Sequence, residues 1–240
     1  MIVAIDAGNS RIKWATHAGG RWLDSGVLAT SDVAWLAEAA DEWPAGARVV
    51  VCNVAGAGVA ASISSLLAAR QARLSFLRPT GSACGVRNAY EVPAQLGADR
   101  WAALIGARAR SDKACLVVCA GTATTVDLLD AGGVFRGGLI LPGFDLMRAA
   151  LASNTAQLPL AQEGVFRAEP RNTVDAIVSG CLQAQLGAVE RMFSGIAGAA
   201  GALCLLTGGA AERLSPHLRI PFVLVDNLIL SGLVRYAESL

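Results

Sequence analysis

Two short segments of the chain bring together an aspartate, a glycine and hydroxyl side chains beside an apolar run. The first is Ile2-Val3-Ala4-Ile5-Asp6-Ala7-Gly8-Asn9-Ser10. The second is Cys115-Leu116-Val117-Val118-Cys119-Ala120-Gly121-Thr122-Ala123-Thr124-Thr125-Val126-Asp127. A glycine-containing loop lets a phosphate approach without a Cβ in the way, exposes backbone N–H groups and adds hydroxyl donors. Two such loops, one per half, could grip two ends of one polyphosphate. Strand, glycine turn, strand is equally the plan of a β-hairpin, with Gly-Asn or Gly-Thr supplying the backbone angles. The layout shared by the two halves favours the phosphate reading.

The elements that must position these loops follow from periodicity. Strands are expected at Ile2 to Ile5, Ile12 to Thr16 and, after the Gly19-Gly20 turn, Arg21 to Val27. Ser31-Asp32 caps a helix through Ala40, Val49 to Val54 reads as a central parallel strand, Ala60 to Arg73 as a helix and Leu74 to Leu77 as a strand. The second half repeats the order, with strands at Cys115 to Val118, Thr125 to Leu129 and Val134 to Leu141. Helices follow near Phe144 to Ser153 and Thr173 to Ile196, then strand Leu203 to Leu206, a helix near Ala211, strand Phe222 to Val225 and a closing helix from Asn227. A duplicated βββαβαβ order implies two mixed α/β lobes, residues 1–98 and 99–240, and clefts between lobes are favoured ligand sites. This order resembles the layout of the duplicated ribonuclease-H-like lobes in the acetate kinase, sugar kinase, Hsp70 and actin superfamily, and the resemblance implies an ATP site in such a cleft.

Composition narrows the function. The chain has 240 residues, enough for a sizeable core in each lobe, and a formal charge of +1, which offers no electrostatic footprint for nucleic acid. Two histidines make a His-based metal cage improbable. Cys52, Cys84, Cys115, Cys119, Cys181 and Cys204 have no CxxC spacing and read as small buried hydrophobes in a reducing compartment. The N-terminus enters a strand at once, without a basic leader. Met192 to Ala211 is uncharged over about 20 residues, the length of a membrane span, but its glycines argue against one. The expectation is a soluble, cytoplasmic protein acting on small molecules, with no nucleic acid or membrane partner.

Five spaced motifs sharpen that expectation: Asp6-Ala7-Gly8-Asn9-Ser10; Tyr90 followed by Leu96-Gly97-Ala98-Asp99-Arg100; Gly121-Thr122-Ala123-Thr124-Thr125-Val126-Asp127; Gly137-Gly138-Leu139-Ile140-Leu141-Pro142-Gly143; and Asn172-Thr173-Val174-Asp175-Ala176-Ile177-Val178-Ser179-Gly180. In this order, over nearly the whole chain, the series resembles the type III pantothenate kinases, also described as the Bvg accessory factor family. The resemblance implies phosphorylation of pantothenate by ATP with Mg²⁺, the first step of coenzyme A synthesis, by a homodimer. It carries the pantothenate pocket over to Tyr90, Gly97, Ala98, Asp99, Arg100 and Thr173. The ATP contacts carry over to Asp6, Ala7, Gly8, Asn9, Ser10, Arg11, Ile12, Lys13 and Thr122, with Asp6 near Mg²⁺.

The same residues have physical readings of their own. Asp99 opens a helix whose dipole favours its ionised form, where it can accept a proton from a hydroxyl during phosphoryl transfer or simply cap the helix. Arg100 offers a planar donor fork for a carboxylate or phosphate, or is a solvated helix-start arginine. Tyr90 supplies a ring and a hydroxyl to a substrate, or is a core aromatic with a wet tip. Thr173 is a substrate contact or an N-cap, and Lys13 either neutralises a phosphate or faces solvent. At Cys119 the family usually carries an aspartate that helps hold potassium or ammonium, and a thiol is a poor ligand for so hard an ion. The segment Gly209-Ala210, where an acidic residue often follows Thr-Gly-Gly, is a second departure. A regulatory nucleotide-binding protein without kinase activity is the alternative of a different class, and a sugar or acetate kinase is disfavoured by the Tyr90 to Arg100 segment.

Overall fold

Apolar residues with a single half-buried aspartate form the first strand, β1 (Ile2–Ala7), which Gly8 turns back into β2 (Arg11–Ala18). The structure, a computed structural model, describes residues 1–240. Gly19 and Gly20, at φ of 55° and 76°, make the next turn into β3 (Arg21–Ala29), since L side chains resist those angles. The helix expected from Ser31 divides into a 3-10 segment, Thr30–Trp35, within which Asp32 takes non-helical angles, and a short α1 (Leu36–Asp41). Next come β4 (Arg48–Asn53), α2 (Ala57–Ala68) and β5 (Arg73–Phe76). Helix α2 stops short of the expected Arg73 because Gln71 is left-handed, at φ 54°, and Arg73 already belongs to β5.

A hairpin unforeseen from the sequence, β6 (Ser82–Ala83) and β7 (Val86–Asn88), precedes α3 (Ala98–Arg110). The second half contains β8 (Cys115–Ala120), β9 (Ala123–Leu129), β10 (Val134–Pro142), α4 (Phe144–Asn154) and α5 (Thr173–Ser194). It closes with β11 (Leu203–Thr207), α6 (Ala211–Leu214), β12 (Phe222–Leu224) and α7 (Leu228–Glu238).

The chain folds into two compact units: residues 1–112, 133–135 and 227–240 form the first, and 113–132 with 136–226 the second. Within the first unit α3 and α7 approach closely: a Cβ on Gly232 would lie 1.8 Å from the Ala102 carbonyl oxygen, and one on Gly106 2.3 Å from that of Leu228. Only glycine at both positions lets the backbones meet.

In the first unit the sheet order is β3-β2-β1-β4-β5, with β1 antiparallel to β2 and parallel to β4. Val3, Ile5, Val49 and Val51 pack with Leu36, Ile63 and Leu67. Each such fully buried aliphatic side chain contributes about 1.5–3 kcal/mol. Helix α7 packs against β1. The first residues of β10, Val134 and Phe135, pair in parallel with Arg87 and Asn88 of β7.

In the second unit the strands run β12-β11-β8-β9-β10. Helix α5 buries Ile177, Cys181, Leu182, Leu186 and Val189 in a core with Leu116, Val118, Val126 and Leu206. Burial pushes the Cys181 thiol up, and pushes that of Cys204 up to about 12 with help from Cys115, so these cysteines are inert apolar filling. No helix is long and apolar enough to cross a membrane.

Candidate active site

The β1–β2 register decides where Lys13 points. Asp6 and Lys13 are directly opposed across the antiparallel pair, so their side chains leave the same face. Lys13 is half-buried beside Asp6 and is not a solvent-facing lysine. The Asp6 carboxyl is pushed up to about 7, chiefly by burial and further by the charge of Asp99, against the opposing pull of Lys13. Two carboxylates and one ammonium thus share one electrostatic environment in the first unit.

Asp99 stands in the first turn of α3, one residue after the helix start. It is not the N-cap. That position is Gly97, which has no side chain to offer. Asp99 Oδ1 instead accepts the Arg100 backbone N–H at 2.8 Å, one of the amides the helix leaves open. The carboxylate is thereby held at the positive end of the helix dipole, half-buried.

Arg100 is 4% exposed, which excludes the solvated reading. Its Nη1 donates to the Tyr90 hydroxyl at 2.8 Å. The guanidinium lies 5.6 Å from the Tyr90 ring centre and 5.7 Å from that of Phe135, and the two rings are 5.2 Å apart. Cation–π contact and the hydrogen bond offset part of the cost of burying this charge. Because the Tyr90 oxygen accepts from Arg100, its own proton remains free to donate to a ligand. Asn88 braces the segment, donating to the Pro93 carbonyl at 3.2 Å and accepting the Tyr90 N–H at 3.1 Å. Phe135 went unnoticed in the sequence, where it is one apolar residue of β10. Only its pairing beside β7 brings it to Arg100.

Both glycine loops are hairpin turns, and each glycine amide is used internally. Gly8 N–H donates to the Arg11 carbonyl at 3.0 Å, and Gly121 N–H to that of Ala123 at 3.0 Å. These two amides are therefore not phosphate donors. What the first loop exposes is Asn9, Ser10 and Arg11, while Thr30 ties it down through its hydroxyl to the Gly8 carbonyl at 2.7 Å. Ala7 and Ile12 are fully buried in the core, so any ligand contact there is through backbone atoms.

The hydroxyls of the second loop separate by role. Thr122 is exposed, and its carbonyl accepts the Gly143 N–H at 2.8 Å. Thr124 is buried and bonds Gln185 of α5 at 2.8 Å. Thr125 is buried with a hydroxyl that has no partner. Cys119 is opposed by Thr125 on one side and Thr207 on the other, a row of neutral side chains. The soft thiol of Cys119 is a poor ligand for a hard monovalent cation.

Thr173 is the first residue of α5, and the cap is Asn172, whose side chain accepts the Asp175 N–H at 2.8 Å. The exposed Thr173 side chain is thus not spent on capping. Asp175 is held below the usual carboxylate range by the Val165 N–H and by Asn172. Gly97 and Ala98 are half-buried at the start of α3. A cavity of about 250 Å³ in the second unit, lined by Phe144, Arg148, Phe166 and His217 among others, contains none of these residues.

No three carboxylate, histidine or cysteine groups gather as a metal cage. Asp6 fits a divalent cation of the magnesium kind, which binds through one or two carboxylates and takes its other ligands from phosphate and water. Its hard oxygen sits in a region made negative by Asp99.

Comparison with known proteins gives the family. The profile of the family described as type III pantothenate kinase matches residues 2–195. A type III pantothenate kinase of Aromatoleum aromaticum is 58% identical over 239 residues, covering 100% of this chain and 98% of that protein. One from Dechloromonas aromatica is 48% identical over 233 residues, with 97% of each covered. A Campylobacter jejuni structure described as a Baf family transcriptional activator superposes with a TM-score of 0.69 at 20% identity, over 99% of this chain and 98% of that one. A Sinorhizobium meliloti structure described as a 2-dehydro-3-deoxygalactonokinase gives 0.60 at 16% identity, over 100% and 99%. At these identities the structures show a shared fold and nothing more. The sequence matches go further: the chain belongs to the type III pantothenate kinase family.

Proposed function

We propose that this protein transfers the γ-phosphoryl group of ATP to the primary hydroxyl of pantothenate, giving 4′-phosphopantothenate for coenzyme A synthesis. Support comes from family membership along the whole chain together with Asp6, Lys13, Tyr90, Asp99 and Arg100 held in one folded unit. Asp99 is the general base. Its carboxylate accepts the hydroxyl proton as the substrate oxygen bonds to the γ-phosphorus and the bond to the bridging β,γ-oxygen breaks, releasing ADP. A loose transition state asks little basicity of it, so a carboxylate at a helix N-terminus suffices.

Lys13 lies beside Asp6, where an ammonium counters charge on the transferred group. Asn9, Ser10 and Thr122 offer polar contacts to the ATP phosphates. Mg²⁺, held by Asp6 and phosphate oxygens, supplies charge neutralisation when bound. Tyr90 donates its proton to an acceptor on pantothenate, Arg100 orients Tyr90, and the exposed Thr173 is a further substrate contact. No step runs through a monovalent cation, for which Cys119 provides no fitting ligand. Acting on ATP and pantothenate, the enzyme works in the cytoplasm. It is a homodimer, consistent with the open, small-residue stripe of Gly180, Ala184 and Gly187 on α5. Nothing observed favours the regulatory alternative.

The test is ATP-dependent phosphorylation of pantothenate by the purified protein with Mg²⁺. Turnover is expected, and Asp99→Asn is expected to lower kcat far more than it weakens ATP binding. Normal turnover by Asp99→Asn would remove Asp99 from the mechanism. Light scattering at micromolar concentration reports the dimer.

A further inference from the structure

Gly97 has φ −61° and ψ 139°, extended backbone open to any residue, so backbone strain is not what calls for glycine here. A Cβ at this position would lie 2.5 Å from Asp99 Oδ1, well inside ordinary van der Waals contact. The same oxygen accepts the Arg100 N–H at 2.8 Å. The obstruction is the movable end of a side chain, so a residue larger than glycine displaces the carboxylate and leaves the helix intact.

We propose that Gly97 is a positioning residue for phosphoryl transfer. Its missing side chain lets Asp99 fold back over the start of α3, which pins Oδ1 to the Arg100 amide and turns the other oxygen toward the reacting hydroxyl. This rests on Asp99 being the general base, as proposed above. The role differs from lining a pocket, because Gly97 acts through the geometry of another residue. Stability gives glycine no advantage at this cap. Serine is at least as good an N-cap, since its hydroxyl can take an open amide. Gly97→Ser therefore separates the two roles: it keeps the cap and obstructs the carboxylate.

The experiment measures kcat, KM for ATP, KM for pantothenate and Tm for Gly97→Ser, with Gly97→Ala as a second variant and both repeated in an Asp99→Ala background. A base misplaced by about 1 Å costs on the order of 10²-fold in rate, so kcat of Gly97→Ser is expected to fall by that factor. KM for ATP and Tm should stay near wild type. With the carboxylate gone, the substitution at 97 should have no further effect on the residual rate, the non-additivity expected of two residues acting as one. Wild-type kcat in both Gly97 variants, while Asp99→Ala is inactive, overturns the role of Gly97 and leaves Asp99 as base. An equal loss with and without the Asp99 carboxylate, or a rise confined to KM for pantothenate, also overturns it and makes Gly97 a pocket wall. Normal turnover by Asp99→Ala instead removes the base on which the role depends.

Discussion

Replacing Asp6 by asparagine is expected to stabilise the ligand-free protein at mildly alkaline pH while removing its activity. The carboxyl titrates near 3.8 in the unfolded chain and at about 7 in the folded one. Between those values the unfolded state has released the proton and the folded state still holds it, so stability falls as pH rises through the window. The neutral form is harmless below about 4, and the cost of ionisation is fully present above about 7. A difference of about three pH units at 1.36 kcal/mol each sets a ceiling of about 4 kcal/mol. Local relaxation and water at a half-exposed carboxylate reduce this, and about 1–2 kcal/mol is a reasonable expectation.

For a chain of this length that corresponds to a rise in Tm of roughly 2–8 °C at about pH 8 in Asp6→Asn. The assay is thermal unfolding of both proteins in matched buffers from about pH 4 to about pH 8 without nucleotide. The gap between the two should open across that range and be near zero at its acid end. Asp99→Asn should produce a smaller gain of the same sign, since the charge of Asp99 is the second cause of the shift. A gap that does not change with pH, or an Asp6→Asn protein less stable at the alkaline end, would refute the electrostatic reasoning.

Three other outcomes are expected. Gly232→Ala would place a methyl 1.8 Å from the Ala102 carbonyl oxygen, so α7 must move off α3. Overpacking of this kind costs about 1–3 kcal/mol or more, visible as a lower Tm together with lower turnover as α3 shifts. Wild-type activity should be similar in sodium and potassium salts, because Cys119, Thr125 and Thr207 form a neutral row, whereas Cys119→Asp should make the rate potassium-dependent. A clear potassium requirement in the wild type would contradict this. Asn172→Ala should cost about 1 kcal/mol as loss of a helix cap, while Thr173→Ala should leave Tm unchanged and raise KM for pantothenate.

Much of the site was legible because its signals are local. Alternating apolar residues, paired glycines and a carboxylate at a helix start depend on backbone propensities within a few residues, so the strands around Asp6 and Cys119 and the helix at Asp99 could be read directly. The family motifs lie on those same elements. Local reading left the hairpin and phosphate-loop readings of the two glycine turns side by side, and the fold shows that hairpin closure uses the amides of both Gly8 and Gly121. It took Thr173 for a possible cap when its neighbour Asn172 does that work.

Other features depend on residues far apart in the chain satisfying one another. Lys13 faces Asp6 because the hairpin register opposes them, and a shift of one residue would have turned it away. Phe135 reaches Arg100 only because β10 begins beside β7. Helix α7 returns from the C-terminus to the first unit because Gly106 and Gly232 allow its backbone to touch α3. The sequence by itself determined which segments are strands and helices and which residues carry chemistry. Tertiary structure decided which of those residues share an environment, because burial and close packing select among long-range pairings that local preferences leave equally open.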